Sequence, residues 1–269
     1  MATKAATAFV TSRDGTRIAY DRYGEGPALI MVGGATATRS LVGEAPGKLS
    51  EHFTVYAYDR RGRGDSGDTP PYAVEREMED LAALIEAAGG KAHVFGHSSG
   101  AVLALRAAAA GLPIERLAVY EPPFIIDDSR PPVPDDYLET LDRLIAEGRR
   151  EEAVVYFMTA AVGIPEEFID EIKNGPYWLS SVELAHTLAY DSRIMGATMS
   201  GKPLDASPWN QISIPTLVMA GGASQPYMRA GAQALVSHLQ HGEYRVLEGQ
   251  DHGPSDEVLL PELIRFFTA

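Results

Sequence analysis

Short apolar runs alternate with amphipathic helical patterns along the first 125 residues of the chain. Four runs have the length and composition of buried strands: residues 28–32, 54–58, 92–95 and 116–120. Two segments, residues 74–88 and 99–110, place apolar side chains at helical spacing. Buried strands separated by helices predict the α/β class, with a mostly parallel sheet covered by helices on both faces.

Both ends of the chain extend this pattern. Residues 9–11 and 17–23 flank an Asp14-Gly15 turn and predict an N-terminal hairpin. Strand and helix patterns resume near the C-terminus, at residues 215–220, 228–239, 244–247 and 258–267. The segment between, residues 126–210, has helical patterns and no convincing strand. We therefore predict a core domain of residues 1–125 and 211–269, interrupted by a helical insertion at 126–210.

Composition limits the kind of protein this is. The chain has 269 residues, 45% hydrophobic and 22% charged, as in an ordinary soluble enzyme. Its net charge of −14 disfavours nucleic acid and anionic membranes as partners, because both attract clustered Lys and Arg. There is no cysteine, hence no disulfide or thiol nucleophile. No stretch resembles a signal peptide or membrane span, so we expect a cytoplasmic protein with a small-molecule partner, in an oligomeric state that the sequence leaves open.

The sequence Gly-His-Ser-Ser-Gly at residues 96–100 lies between a predicted strand and a predicted helix. This Gly-x-Ser-x-Gly pattern is typical of a nucleophile elbow, a tight turn that exposes the serine hydroxyl. Gly96 and Gly100 have to be small so that strand and helix can pass closely. Ser98 is therefore the candidate nucleophile; the alternative is a serine that only caps the helix.

The chain resembles a lid-bearing α/β-hydrolase along essentially its full length. The resemblance lies in the elbow, the Gly33-Gly34 turn, the Asp-Arg-Arg-Gly-Arg-Gly stretch within residues 58–67, and Gly-Gln-Asp-His-Gly at 249–253. It implies eight strands, a lid formed by the insertion, and a triad in the chain order serine, acid, histidine. The sequence contains no metal-binding cluster or nucleotide-binding glycine motif, so we expect no cofactor and no metal. In this family the basic turn at residues 60–63 shapes a loop behind the active site, so we interpret it as structural.

His252 is the candidate general base. It follows the last predicted strand, where the family places its histidine, and a base must reach the serine proton at hydrogen-bond distance. His97, in the elbow, is interpreted as a hydrogen-bonded packing residue, and His93 as a core residue within a strand. The other histidines fall at helix ends, in loops or in the insertion.

The acid departs from the commoner family pattern. Ser224 stands where many relatives carry an aspartate after strand seven, and a hydroxyl cannot stabilise an imidazolium as a carboxylate does. Glu121 ends the sixth predicted strand and is the preferred acid, an arrangement similar to that of certain haloalkane dehalogenases and a mycoestrogen lactonase. Glu121 as a carboxylate on the pocket rim is the alternative. Asp251, Asp127 and Asp128 are further candidate acids.

The remaining candidate residues would bind the oxyanion or the substrate. We expect the backbone N–H of Ser99 in the oxyanion hole, together with that of Ala35 or Gly34 in the Gly-Gly turn. The insertion is rich in aromatic residues and methionine, which favours a mainly apolar substrate group. The candidate substrate contacts there are Met158, Trp178 and His186.

These residues predict a cofactor-independent serine hydrolase that cleaves a small, fairly apolar carboxylic ester or lactone through an acyl-enzyme. Amide, thioester and carbon–carbon cleavage, and perhydrolase activity, use the same parts and remain open. Dehalogenase and epoxide hydrolase activity is disfavoured, because those relatives use aspartate where Ser98 stands. The alternative hypotheses are a ligand-binding or sensor protein with little turnover and a pathway-tailoring protein on the same scaffold.

Overall fold

The computed structural model of the chain describes residues 7–269 and contains an eight-stranded sheet. Its strands are β1 (Ala8–Thr11), β2 (Arg17–Tyr23), β3 (Ala28–Val32), β4 (Thr54–Tyr58), β5 (Ala92–His97), β6 (Ile114–Tyr120), β7 (Thr216–Gly221) and β8 (Gly242–Leu247). Their spatial order is β1-β2-β4-β3-β5-β6-β7-β8. All of them coincide with runs that the sequence pattern predicts, and the α/β class is confirmed.

The sheet is antiparallel at one side and parallel elsewhere. β1 pairs with β2 and β2 with β4 in antiparallel register, so the predicted hairpin is present. From β4 through β3, β5, β6 and β7 to β8, every pair of neighbours is parallel. The carboxyl ends of these parallel strands therefore lie along one edge, where α/β proteins place their ligands.

The helices vary in length and in how far the sequence predicts them. They are α1 (Ala45–Leu49), α2 (Val74–Ala87), α3 (Ser99–Ala109), α4 (Tyr137–Ala146), α5 (Arg150–Tyr156), α6 (Ile169–Lys173), α7 (Trp178–Glu183), α8 (Leu188–Met195), α9 (Pro226–His238) and α10 (Asp256–Phe267). A π-helix, Phe157–Val162, follows α5 directly. The sequence pattern misses α1, because five residues are too few to show a helical period.

Alternate residues of the central strands enter two separate hydrophobic cores. In β5, Val94 belongs to the core formed with α2, α3 and α9, whereas the adjacent Phe95 belongs to the core formed with α1 and α10. Successive side chains of a strand point to opposite faces, so helices on both sides are needed to bury them. Two buried faces make the central sheet a rigid platform for its carboxyl edge.

Between β6 and β7 the described chain has helices α4 to α8 and no strand. Helix α8 packs against α3 and α4, and its Ile194 and Met195 belong to the same core as α3. The insertion is therefore continuous with the hydrophobic core on one face of the sheet. This packing fixes α8 beside the first turn of α3.

The turn from β5 to α3 requires two small residues. A Cβ on Gly96 would lie 2.7 Å from the carbonyl oxygen of Gly100, and one on Gly100 would lie 2.4 Å from that of Val32. Both separations are shorter than van der Waals contact. The close passage of strand and helix at the elbow, which the sequence predicts, is present.

The close approach at Gly100 predicts a stability difference. Gly100→Ala is expected to lower the free energy of unfolding by about 3 kcal/mol, because the added Cβ meets backbone that cannot move aside. Gly47→Ala in α1 is the matched control: a Cβ there meets nothing within 4 Å, and we expect about 0.5–1 kcal/mol of stabilisation. Urea unfolding measures both variants. A Gly100→Ala protein as stable as the wild type would contradict this account.

Candidate active site

A cavity of about 610 Å³ opens at the carboxyl edge of the parallel strands. Ser98 follows β5, Glu121 follows β6 and His252 follows β8, and all three line this cavity. Strands that are neighbours or near neighbours in the sheet thus bring together residues that are far apart in sequence. The structure places the three candidate triad residues in one site.

Backbone strain is concentrated in the wall of this cavity. Among the described residues other than glycine, φ is positive at Thr36 (54°), Ser98 (56°) and Glu121 (47°). All three line the cavity. Each such conformation costs on the order of 1–3 kcal/mol and persists only where the surrounding structure enforces it. Strain of this kind is typical of functional sites.

The sheet itself holds Ser98 and Glu121 in these conformations. The N–H of Ser98 donates to the carbonyl of Tyr120 at 3.0 Å, and the N–H of Glu121 donates to the carbonyl of Met219 at 3.0 Å. Each bond extends the ladder between neighbouring strands one residue beyond the strand. The two side chains are therefore aimed from fixed backbone positions.

Glu121 and His252 are joined by a hydrogen bond of 2.7 Å between Oε2 and Nδ1. The other carboxylate oxygen, Oε1, accepts the backbone N–H of Gly221 at 2.7 Å. Burial raises the pKa of Glu121, but the hydrogen bonds from His252 and Gly221, together with the nearby Ser224 hydroxyl, outweigh this effect, and its pKa lies below the ordinary value. An ionised carboxylate only accepts hydrogen bonds, so Nδ1 of His252 carries the proton and Nε2 is left as a base.

Of the candidate acids, Glu121 alone is hydrogen-bonded to the His252 ring in the structure. Asp251 lines the cavity, but its Oδ1 accepts the N–H of Gly253 at 2.9 Å. Asp127 accepts the N–H of Ser129, and Asp128 is exposed; neither lines the cavity. Ser224, which replaces the usual aspartate, places its hydroxyl beside Glu121 and helps to stabilise that carboxylate.

His97 packs directly against His252. Its ring centroid lies 4.8 Å from that of His252, and its Nε2 is 2.8 Å from the His252 carbonyl oxygen. Burial, together with the neighbouring His252, lowers the pKa of His97 from 6.5 to about 4. A neutral His97 donates Nε2–H to this carbonyl and so holds the loop that carries His252. This contact agrees with the packing role that the sequence indicates for His97.

The expected oxyanion residues line the cavity beside Ser98. Gly34, Ala35 and Ser99 all contribute to its wall. A Cβ on Gly34 would lie only 2.9 Å from the Cβ of Ser98, so this turn packs directly against Ser98. Ser99 is the first residue of α3, where backbone N–H groups have no partner within the helix.

Of the three candidate substrate contacts in the insertion, one lines the cavity and two do not. Met158 lies in the cavity wall, but Trp178 and His186 do not. Trp178 is buried in the core shared by α3 and the insertion. His186 lies 2.9 Å, through Nε2, from the carbonyl oxygen of Gly62 and faces a second cavity. The sequence identifies both as insertion residues but carries no information about which side of the insertion they face.

The arginines of residues 60–63 are buried and paired. Arg60, Arg61 and Arg63 are each at most 1% exposed. Arg61 binds Asp80 at 2.7 Å, while Arg60 and Arg63 both bind Asp191 of α8, at 2.8 and 2.7 Å. This pairing agrees with a structural role for the turn. The role of Asp191 cannot be predicted from the sequence, because nothing in its local pattern indicates a partner more than 120 residues away.

The described side chains include no group of three or more His, Asp or Glu that could hold a metal ion. Within the same residues, every helix is too short or too polar to cross a bilayer.

The lowered pKa of His97 predicts a pH-dependent stability. Protonation of His97 favours the unfolded chain, so the free energy of unfolding falls as the pH drops from 6.5 to about 4. In His97→Gln, whose amide can still donate to the His252 carbonyl, we expect this fall to be smaller by on the order of 2 kcal/mol. Urea unfolding at several pH values measures the difference, with His52→Gln at an exposed position as the control. Parallel profiles for wild type and His97→Gln would contradict the assignment.

Comparison with known proteins relates this site to a family. The profile of the alpha/beta hydrolase family matches residues 29–259. An alpha/beta hydrolase structure from Sphaerobacter thermophilus is 53% identical, with a TM-score of 0.91, and the match covers 97% of this chain and 100% of that one. The enol-lactonase structure from Burkholderia xenovorans has a TM-score of 0.71 at 20% identity, covering 97% and 100%, and shares the fold.

Two curated relatives carry specific names. N-formylmaleamate deformylase from Pseudomonas putida is 40% identical over 117 residues, which span 42% of this chain and 44% of that protein. 2-(Acetamidomethylene)succinate hydrolase from Mesorhizobium japonicum is 27% identical over 259 residues, 91% of this chain and 90% of that protein. Both relatives are hydrolases, and the family profile extends over most of the sheet and the whole insertion. The chain therefore belongs to the alpha/beta hydrolase family.

Proposed function

We propose that the protein is a serine hydrolase that cleaves a small, uncharged carboxylic ester or lactone through an acyl-enzyme. The observation that carries this proposal is the 2.7 Å bond between buried Glu121 and His252, at a cavity that also contains Ser98 on its strained elbow. A nucleophile, a base and an orienting acid in one cavity are what acyl transfer by serine requires.

In the first half of the reaction Ser98 Oγ attacks the substrate carbonyl. His252 Nε2 takes the hydroxyl proton and then gives it to the leaving alkoxide, which departs as the alcohol. Glu121 holds the ring through Nδ1 and stabilises the imidazolium that forms. The N–H groups of Ser99 and Ala35 bind the oxyanion of the tetrahedral intermediate, with the partial positive charge of the α3 N-terminus behind them.

In the second half water attacks the acyl-enzyme. His252 removes a proton from the water, the acid product leaves, and Ser98 regains its proton. The carboxylate needed for both halves is already ionised, since the pKa of Glu121 lies below its ordinary value. The insertion covers the cavity and, as a lid, excludes bulk water from the intermediate.

The cavity walls favour an uncharged substrate. Apolar side chains from the insertion and α9 form much of the lining: Tyr137, Phe157, Met158, Val162, Leu188, Met195, Met199 and Met228. No lysine or arginine is among the lining residues of the described chain. The carboxylates of Glu121 and Asp191 are each engaged by a partner. A carboxylate on the substrate would therefore be buried without a counter-ion, at a cost of several kcal/mol.

Hydrolysis of an N-acyl bond is a second candidate. The names of two relatives, a deformylase and an acetamidomethylene hydrolase, favour it. A serine that is acylated by an ester can be acylated by an activated amide in the same way. Those names also contain the carboxylates maleamate and succinate, for which this cavity offers no cation. Comparing a neutral N-formyl amide with the formate ester of the same skeleton separates the two candidates by kcat/KM.

A binding or sensor protein is the alternative from another class. Ser224 in place of the usual aspartate favours it, because a hydroxyl cannot stabilise an imidazolium. Against it, Glu121 offers a carboxylate from the end of β6, hydrogen-bonded to His252. The strain at Ser98 is a cost that a protein without turnover has no need to retain.

The triad proposal predicts a pattern of covalent labelling. A fluorophosphonate probe, followed by intact mass, is expected to label wild type and to leave Ser98→Ala unlabelled. In Glu121→Gln the rate is expected to fall on the order of 10²–10⁴-fold, because an amide stabilises the wrong tautomer and no imidazolium. Asp127→Asn is the matched control and should label at the wild-type rate. Equal rates for Glu121→Gln and wild type would move the acid elsewhere, and an unlabelled wild type would favour the binding protein.

The cavity lining predicts a preference for uncharged over anionic substrates. We expect kcat/KM for p-nitrophenyl butyrate to exceed that for mono-p-nitrophenyl succinate by roughly 100-fold, because the second ester places a carboxylate where the first has a methyl group. Met158→Lys adds a cation to the wall and should lower the ratio of the two kcat/KM values, butyrate ester over succinate ester, at least tenfold. Equal kcat/KM values in wild type would contradict an uncharged substrate class.

A further inference from the structure

A buried ion-pair network joins the insertion to the elbow. Asp191, on α8, binds Arg60 Nη1 through Oδ1 at 2.8 Å and Arg63 Nη2 through Oδ2 at 2.7 Å. Its Oδ1 also accepts the hydroxyl of Ser99 at 2.7 Å. Asp191 is 3% exposed and the two arginines are 1% exposed, so solvent does not screen these contacts. We call Asp191, Arg60, Arg63 and Ser99 the Asp191 network.

The guanidinium of Arg63 has a second partner in the turn beside the nucleophile. Its Nη2 holds Asp191, and its Nη1 donates to the carbonyl oxygen of Gly34. Arg60 makes a weaker contact of the same kind, from Nη1 to the carbonyl oxygen of Gly33 at 3.3 Å. Two neighbouring carbonyl groups of this turn are thereby drawn toward the buried arginines.

The bond to Gly34 determines where the next N–H points. The C=O of Gly34 and the N–H of Ala35 belong to one planar trans peptide, so they point in opposite directions. Arg63 holds the carbonyl on the buried side. The Ala35 N–H is therefore directed to the other side of the peptide, where Ala35 and Ser98 line the cavity.

The network reaches the second expected oxyanion donor as well. Ser99 begins α3, and its backbone N–H is the donor next to the nucleophile. Its side chain is held by Asp191, which lies on a different part of the chain. One carboxylate from the insertion thus restrains Ser99 directly and Ala35 through Arg63.

We propose that Arg63 and Asp191 are positioning residues for the oxyanion hole, which fix the N–H groups of Ala35 and Ser99 relative to Ser98. This inference rests on the proposed serine hydrolase function. It gives the insertion a part in the chemistry in addition to covering the cavity. Arginine is required at position 63, because its planar fork spans a carbonyl and a carboxylate together, whereas lysine presents one point charge.

Arg61 provides a matched control two residues away. It is as buried as Arg63 and is also forked, between Asp80 and Asp14 at 2.7 and 2.9 Å. It touches neither the Gly33–Gly34 turn nor Ser99 in the structure. Arg61→Lys and Arg63→Lys therefore disturb buried ion pairs of the same kind, and only Arg63→Lys disturbs the oxyanion donors.

The test compares these variants by turnover, by inhibitor binding and by thermal unfolding. With p-nitrophenyl butyrate, Arg63→Lys is expected to lower kcat about 100-fold with little change in KM, because the donors act on the transition state. The affinity for an aliphatic trifluoromethyl ketone, which forms a tetrahedral adduct, should fall in parallel, while that for the matching methyl ketone stays constant. Arg61→Lys should lower the melting temperature and leave kcat unchanged.

A double variant tests whether the two residues act as one unit. Asp191→Asn should lower kcat in the same direction as Arg63→Lys, and the double variant should lose no more than about the larger single loss. Equal effects of Arg61→Lys and Arg63→Lys on kcat, or unchanged kcat in Arg63→Lys, would overturn the inference. Turnover that survives Ser98→Ala would instead overturn the proposed function, and the inference with it.

Discussion

The hydrogen bond between Glu121 and His252 is the interaction on which the geometry of the cavity depends. A carboxylate that is fully buried must be compensated, and here an imidazole and the Gly221 N–H together compensate it. The same bond fixes which nitrogen of His252 carries the proton, while His97 fixes the loop behind it. Glu121, His252 and the loop that carries His252 are therefore one unit, built on the ends of β6, β7 and β8.

The strain at Thr36, Ser98 and Glu121 is sustained by the sheet beneath it. The positive φ angles of Ser98 and Glu121 are held because both residues continue the strand ladder and because both faces of the central strands are buried. Ser98 and Glu121 directly follow a strand at the carboxyl edge, and Thr36 lies in the turn after β3. The packing of the core thus offsets the cost of these strained conformations and keeps the residues facing the cavity. A loop without this support would relax to an unstrained conformation.

Much of this arrangement could be predicted from local sequence. The strands follow from apolar runs, and Ser98 and His252 from motifs placed at strand ends; Glu121 follows because Ser224 cannot serve as the acid. What could not be predicted depends on how the insertion packs. Trp178 and His186 turn away from the cavity, and Asp191 turns into the Arg60–Arg63 turn, because tertiary contacts select one face of each short helix. Helical periodicity shows that a face is buried but not what it is buried against.

The insertion leaves and re-enters the sheet between β6 and β7, which are hydrogen-bonded neighbours. In topology the insertion can therefore differ in length and sequence without any change in strand order. The Asp191 network limits that freedom, because a transplanted insertion without a carboxylate at this place would leave the buried guanidinium of Arg63 without an ion-pair partner and Arg60 paired with Glu77 alone. Residues 60–63 and α8 are therefore matched to each other, and an exchanged insertion has to keep a carboxylate at the position of Asp191 to pair Arg63.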